Sequence, residues 1–321
     1  MRTRLTEILD IEHPVMLAGM GGVSYHQVVA AVSEAGGFWC LGASTMSMDR
    51  MITEIAAVRE HTAKPFGVDL LTAMPADMAA QVDQIIAGGA TVFVAGLGVP
   101  RDVIDQCHAN NILVVNMCGK VRHATAAVAA GCDLVVAQGT EAGGHTGQIA
   151  TMALVPQIVD AVGDKVPVVA AGGLFDGRGL AAALALGADG IWVGTRFIAT
   201  PEAWGVGGYK DKLLAAHEDD TIVSRGYTGK TCRVLRNDYT QYWDDHPAEL
   251  QPFPGQFLKS GADGVNHLGA GPDTPDIDID REFLPAGQGV GAIDQLVPAG
   301  ELVARFVAEA EAVMDRVAAM R

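Results

Sequence analysis

Cysteine is sparse and follows no pairing pattern. The five residues Cys40, Cys107, Cys118, Cys132 and Cys232 are odd in number, and none stands in a C-x-x-C pair. A disulfide framework and a zinc ribbon are thereby excluded as organising elements, and reduced thiols in a cytoplasmic protein are the expectation. No apolar run reaches the ~18 residues needed to cross a bilayer. The charged start Met1–Glu7 has no apolar core behind it, so no signal peptide is expected. Basic residues are scarce, with 22 Lys and Arg against 38 Asp and Glu and a net charge of −16. Such a chain repels phosphate backbones and anionic bilayers, so neither nucleic acid nor a membrane surface is expected as a partner. No G-x-S-x-G nucleophile elbow occurs. The nine histidines include no H-x-x-x-H spacing, and no metal site is expected. Asp276, Asp278 and Asp280 alternate like cation ligands, but they lack the glycine and terminal glutamate of a calcium loop and read as a solvated stretch.

What the chain does have is a repeat. Short β-branched, apolar runs begin near Pro14, Gly37, Pro65, Val92, Ile112, Leu134, Pro167 and Gly190, about 25 residues apart. That spacing accommodates one strand, one helix and two short loops. Several helices carry their own boundary signals. Ser24–Gln27 has the spacing of a capping box, Pro75 precedes the helix around Met78–Ala87, and Asp176 precedes Leu180–Leu186. The strands Leu113-Val-Val and Leu134-Val-Val-Ala are apolar on both faces, as in a parallel sheet covered by helices. Eight units close a barrel and leave no free edge, so the expected fold class is α/β, a (β/α)8 TIM barrel.

The pattern changes after Thr200. Residues 201–285 hold seven of the 14 prolines, and Asp244–Glu282 carries nine acidic residues against Lys259 and Arg281. This stretch reads as a small inserted domain or lid (residues 201–285) over a barrel of residues 1–200, with one helix able to begin in Lys210–His217. Residues 286–321 then return to the barrel, and Pro298–Arg321 reads as one amphipathic helix.

Three motifs can carry chemistry. The seventh barrel strand ends in Gly172-Gly173 and the eighth in Gly194-Thr195. These loops are neighbours on the catalytic face of a barrel, where glycine amides and helix N-termini favour a phosphate. After the sixth strand comes Gln138-Gly-Thr-Glu-Ala-Gly143-Gly144-His145, a histidine placed by glycines where it can approach a flat ligand and move a proton. The first strand ends in Ala18-Gly19-Met20-Gly-Gly22, backbone slim enough to lie against a planar ring.

At these positions the sequence resembles the nitronate monooxygenases and their FMN-dependent relatives, the NAD(P)H:quinone reductases and flavin-dependent enoyl reductases. The matching stretches include His13–Met20, Ala31–Gly37, Lys64–Val68, Gln138–Gly147, Val169–Leu184, Gly187–Phe197 and Pro285–Gly291. The resemblance implies one FMN at the barrel rim. Gly172, Gly173, Gly194 and Thr195 would hold its phosphate, and Ala18, Gly19 and Met20 would line its ring. Asp69, Gln138, Gly143, Gly144 and Gln288 would complete the cofactor contacts, and His145 would be the catalytic residue.

Two departures stand out. The family often has asparagine where this chain has Asp69. An ionised aspartate cannot donate to a flavin carbonyl, so either Asp69 is protonated, or it turns away, or the flavin is poised differently. Phe38-Trp39-Cys40 replaces smaller residues and is expected to narrow the pocket. Two chemistries follow from the resemblance. In the first, alkyl nitronates are oxidised with O2 to carbonyl compounds and nitrite, with His145 either protonated on the nitro oxygens or neutral as a base. In the second, NAD(P)H reduces the flavin and a quinone or enoyl thioester reoxidises it. A flavin-binding protein without catalysis is a third reading. A second copy of the chain, as a homodimer, is the one macromolecular partner left open.

Overall fold

The computed structural model describes residues 1–72, 77–96 and 98–320. Eight parallel strands, β1 (Val15–Leu17), β2 (Phe38–Gly42), β3 (Gly67–Leu71), β4 (Val92–Gly96), β5 (Leu113–Cys118), β6 (Leu134–Gln138), β8 (Val168–Ala171) and β9 (Gly190–Val193), close into a barrel. Closure is made where Val15 and Leu17 of β1 pair with Ile191 and Val193 of β9. Each strand starts within two residues of its expected place, because β-branched runs bounded by glycine or proline mark both ends of a buried strand.

Alternation along each strand divides the core in two. Val68, Phe93, Val135 and Val168 face outward into the layer between barrel and helices, where Trp39 stacks on Phe66 at 4.9 Å. Met16, Phe38, Cys40, Val94, Val136 and Trp192 face inward. Leu5 and Leu9, on the helix Arg4–Leu9, stop the bottom of the barrel. Phe38 and Cys40 belong to this inner core and Trp39 to the outer one. None of them therefore narrows the pocket at the top of the barrel.

Local cap chemistry explains most helix starts. Ser47, Asp77 and Asp176 accept from backbone N–H groups in the first turns of the helices Met48–His61, Met78–Ala87 and Gly177–Ala185. Pro75 lies outside the described residues. The expected capping box at Ser24 is not formed. The helix His26–Glu34 has Tyr25 at its cap, the Ser24 hydroxyl accepts from Met20 N at 2.6 Å, and the buried Glu54 carboxylate accepts from His26 N instead.

The helix Ala299–Ala318 buries Leu302, Val303, Phe306 and Ala310 against the helices Gly177–Ala185 and His26–Glu34. It thus occupies the eighth helical place of the barrel, about a hundred residues after the strand it follows. The intervening segment contains the helices Tyr209–Leu214, Asp238–Asp245 and Gly255–Ala262 and the hairpin of β10 (Thr221–Ser224) and β11 (Cys232–Leu235). β11 pairs antiparallel with β7 (Gly144–His145), placing Cys232 opposite His145. The segment therefore grips the loop that carries the candidate catalytic residue. Asp276, Asp278 and Asp280 are exposed and outside any strand.

Phe306 is 1% exposed and packs on Phe197 at 6.2 Å. Phe306→Ala should lower the unfolding free energy by about 3–5 kcal/mol, read from the denaturation midpoint at constant slope.

Candidate active site

The strand ends and the segment above them enclose a cavity of about 900 Å³. Its floor comes from β1, β3, β6, β8 and β9, and its roof includes Thr228, Lys230, Phe253, Phe257 and Phe283. The barrel brings together Ala18 and Thr195, 177 positions apart along the chain, as the sequence pattern requires.

One end of the cavity presents backbone amides that find no partner in the protein among the described residues. Gly172 and Gly173 have consecutive positive φ of 105° and 72°, a backbone curvature that side chains resist and that turns successive N–H groups inward. The N–H groups of Gly172, Gly173, Gly194 and Thr195 find no acceptor among the described residues. The Thr195 hydroxyl accepts from Gly287 N at 2.9 Å, which fixes the loop 285–291 beside the site. The neighbouring helix Gly177–Ala185 does not contribute as its position suggests. Its first amides already donate to carboxylates: Gly177 N to Glu309 at 2.8 Å, Arg178 N to Asp176 at 3.0 Å and Gly179 N to Asp176 at 3.3 Å. Loop amides, not that helix end, are available to the anion.

Beside this end, Ala18, Gly19 and Met20 form a thin wall held by Ala18 N donating to Val193 O and Met20 N to Ser24. A Cβ on Gly19 would lie 2.2 Å from that of Asp69, so only glycine admits the aspartate behind it. Gln138 lines the cavity and donates through Nε2 to the His145 carbonyl at 2.6 Å. Gly143 is packed against Ala286 and Gly287, and Gly144 turns the chain with φ 73°. Gln288 is apart from this set. Its side chain is exposed and borders a smaller cleft behind Gly172 and Gly173, while its neighbours Gly287 and Gly289 line the main cavity.

The His145 ring faces the cavity, with Nε2 3.2 Å from the Thr228 hydroxyl. Burial, reinforced by the Lys230 ammonium, pushes its pKa down to about 4. The imidazole is therefore neutral at pH 7, which sets aside the protonated form as its resting state. Lys230 was missed in the sequence because it lies in the irregular segment. Its signal was a glycine turn, Thr228-Gly-Lys-Thr231, between two short β-branched runs. Its ammonium stands over the Phe253 ring at 4.7 Å and has no carboxylate partner among the described residues. Lys120, His123 and Arg196 also line the cavity, whereas Asp69 is the one carboxyl among the described residues that does. In a chain of charge −16 this is a local reversal of sign.

An amide-lined anion pocket, a slim wall and cationic surroundings fit an anionic planar ligand such as a flavin mononucleotide. The nitronate monooxygenase family model matches residues 2–86 and 73–309. The chain belongs to that family. Solved structures of family resemblance include FabK of Thermotoga maritima, with 33% identity over all of both chains and a TM-score of 0.89. The nitroalkane oxidase of Streptomyces ansochromogenes has 30% identity over 98% of this chain and 99% of that one, with a TM-score of 0.83. A Mycobacterium tuberculosis hydroxy-methyl-oxo-octahydroindene-carboxyl-CoA dehydrogenase is 40% identical over 75% of this chain and 68% of its own length. The family places the chain among oxidoreductases, and the names of these relatives span more than one chemistry. No helix among the described residues is long and apolar enough to cross a membrane.

A proton NMR titration of the His145 ring should give a midpoint near pH 4. A midpoint near the ordinary ~6.5 would contradict the burial and the Lys230 field described here.

Proposed function

We propose that the cavity binds FMN and that the protein oxidises alkyl nitronates with O2 to carbonyl compounds and nitrite. The observation that carries this reading is the neutral, half-buried His145 close to Lys230, an ammonium without a carboxylate partner among the described residues, at the cavity wall. Gly172, Gly173, Gly194 and Thr195 would hold the phosphate through their free amides, and Ala18–Met20 would support the ring. When bound, the flavin supplies the electron-accepting ring and the reactivity toward oxygen.

The chain's own residues do the rest. Lys230 draws an anionic substrate inward and offsets its charge in a site of low dielectric. With the Thr228 hydroxyl donating to Nε2, the neutral His145 imidazole carries its one N–H on Nδ1 and would offer it to a nitro oxygen. With a pKa of about 4 it is too weak a base to hold the α-proton of a neutral nitroalkane at pH 7. The site thus favours the preformed nitronate anion over the nitroalkane. The apolar roof of Phe253, Phe257 and Phe283 keeps water away from the reacting carbon.

A second reading is supported by the CoA-linked dehydrogenase relative and by the structural likeness to FabK. In it a pyridine nucleotide or an acyl thioester exchanges electrons with the same flavin, and His145 orients the acceptor.

The two are separated by mixing the yellow protein anaerobically with a small alkyl nitronate or with NADH or NADPH. A change of the visible flavin band with the nitronate alone supports the proposal, and bleaching by a pyridine nucleotide alone overturns it. His145→Ala should retain bound flavin and lose roughly 10²–10³ in kcat, the usual cost of one anion-stabilising donor.

A further inference from the structure

Asp69 is the one carboxyl among the described residues that lines the cavity, and it is 8% exposed. Its backbone is tied down, with Asp69 O accepting from Ala43 N at 3.0 Å and from the Ser44 hydroxyl at 3.4 Å. Its carboxyl group, in contrast, has no hydrogen-bond partner among the described residues. It stands on the inward face of β3, behind the slim wall at Gly19, where no larger residue would fit. A buried polar group left unpaired is costly, and so is a carboxylate placed where no cation can answer it. Among the groups around it, Cys40 on β2 is a buried thiol whose own ionisation Asp69 opposes, and Ser44 and Asn116 are uncharged. The basic groups of the cavity, Lys120, His123, His145, Arg196 and Lys230, exert no resolved pull on Asp69, whose pKa burial alone raises to about 8.

A carboxyl aimed into a ligand cavity with no internal partner needs a partner from the ligand. A neutral acid can donate one hydrogen bond, as the amide of an asparagine can, and a carboxylate can only accept. The ring of a flavin presents carbonyl oxygens, which accept. We infer that Asp69 is a hydrogen-bond donor to a carbonyl oxygen of the bound flavin, acting as a neutral carboxylic acid, so that the cofactor is held tightly only while Asp69 keeps its proton. This rests on the flavin reading given above. It adds to that reading a binding role tied to pH.

The sign follows from linkage. Above the pKa of Asp69 the cofactor must recruit a proton in order to bind, so its affinity falls by one power of ten per pH unit. The test measures the Kd of FMN from pH 7 to pH 9.5 by quenching of flavin fluorescence, in the wild type and in Asp69→Asn, which keeps the shape and the donor but cannot ionise. With a pKa of about 8, wild-type Kd should weaken roughly thirtyfold over that range and the variant should stay level. A level wild-type curve, or the same slope in Asp69→Asn, would overturn the inference while leaving the flavin reading intact. Failure of FMN to bind either protein at pH 7 would overturn both. Infrared spectra of the cofactor-free chain give an independent readout. The acid-carbonyl stretch present in wild type minus Asp69→Asn at pH 7 should vanish by pH 9.5, and its absence at pH 7 would refute the neutral carboxyl.

Discussion

A parallel barrel closes its strands against one another but leaves the last amides of each strand with no ladder partner. In this chain that constraint governs the site. At the ends of β8 and β9, the amides of Gly172, Gly173, Gly194 and Thr195 have no acceptor among the described residues. These four residues are half-buried at the cavity, so the fold keeps a group of unpaired amides open to a ligand at one fixed place. The surrounding elements serve that place. Thr195 anchors the loop 285–291, and the helix Ala299–Ala318 returns to cover the barrel wall next to β9. The antiparallel pairing of β11 with β7 holds His145 at the same rim.

Charge follows the same logic. The surface is strongly acidic, yet the cavity gathers Lys120, Arg196 and Lys230 with His123 and His145, and its single carboxyl is one that burial keeps neutral. Within the cavity the ammonium of Lys230 stands over an aromatic ring, close to the neutral imidazole of His145.

The barrel was legible in the sequence because strand starts are marked twice, by β-branched runs and by the glycine or proline that bounds them. Gly172, Gly194 and His145 were legible for a related reason: rim loops of a barrel have fixed neighbours once the strands are counted. Other features depended on contacts distant in sequence. Ser24 has the spacing of a cap, but Met20, brought close by the turn before it, takes its hydroxyl, and Glu54 on the next helix caps in its place. The helix after Asp176 looked open to phosphate because Glu309, 133 positions on, is invisible to local reading. Phe38–Cys40 looked like pocket residues, yet strand alternation sends them into two separate cores. Lys230 and the neutrality of His145 depend on burial by the irregular segment, for which composition offers no register.

The claim on which the account depends is that strand-end amides bind a phosphate. The most direct measurement compares the affinities of the cofactor-free protein for FMN and for riboflavin, which share a ring and differ in the phosphate alone. The account predicts that riboflavin binds at least about a hundredfold more weakly, as expected for the loss of two or more hydrogen bonds to a charged group at ~1.5–3 kcal/mol each. Equal affinities would contradict it and would move the phosphate, and with it the orientation of the whole ligand, away from Gly172 and Gly194.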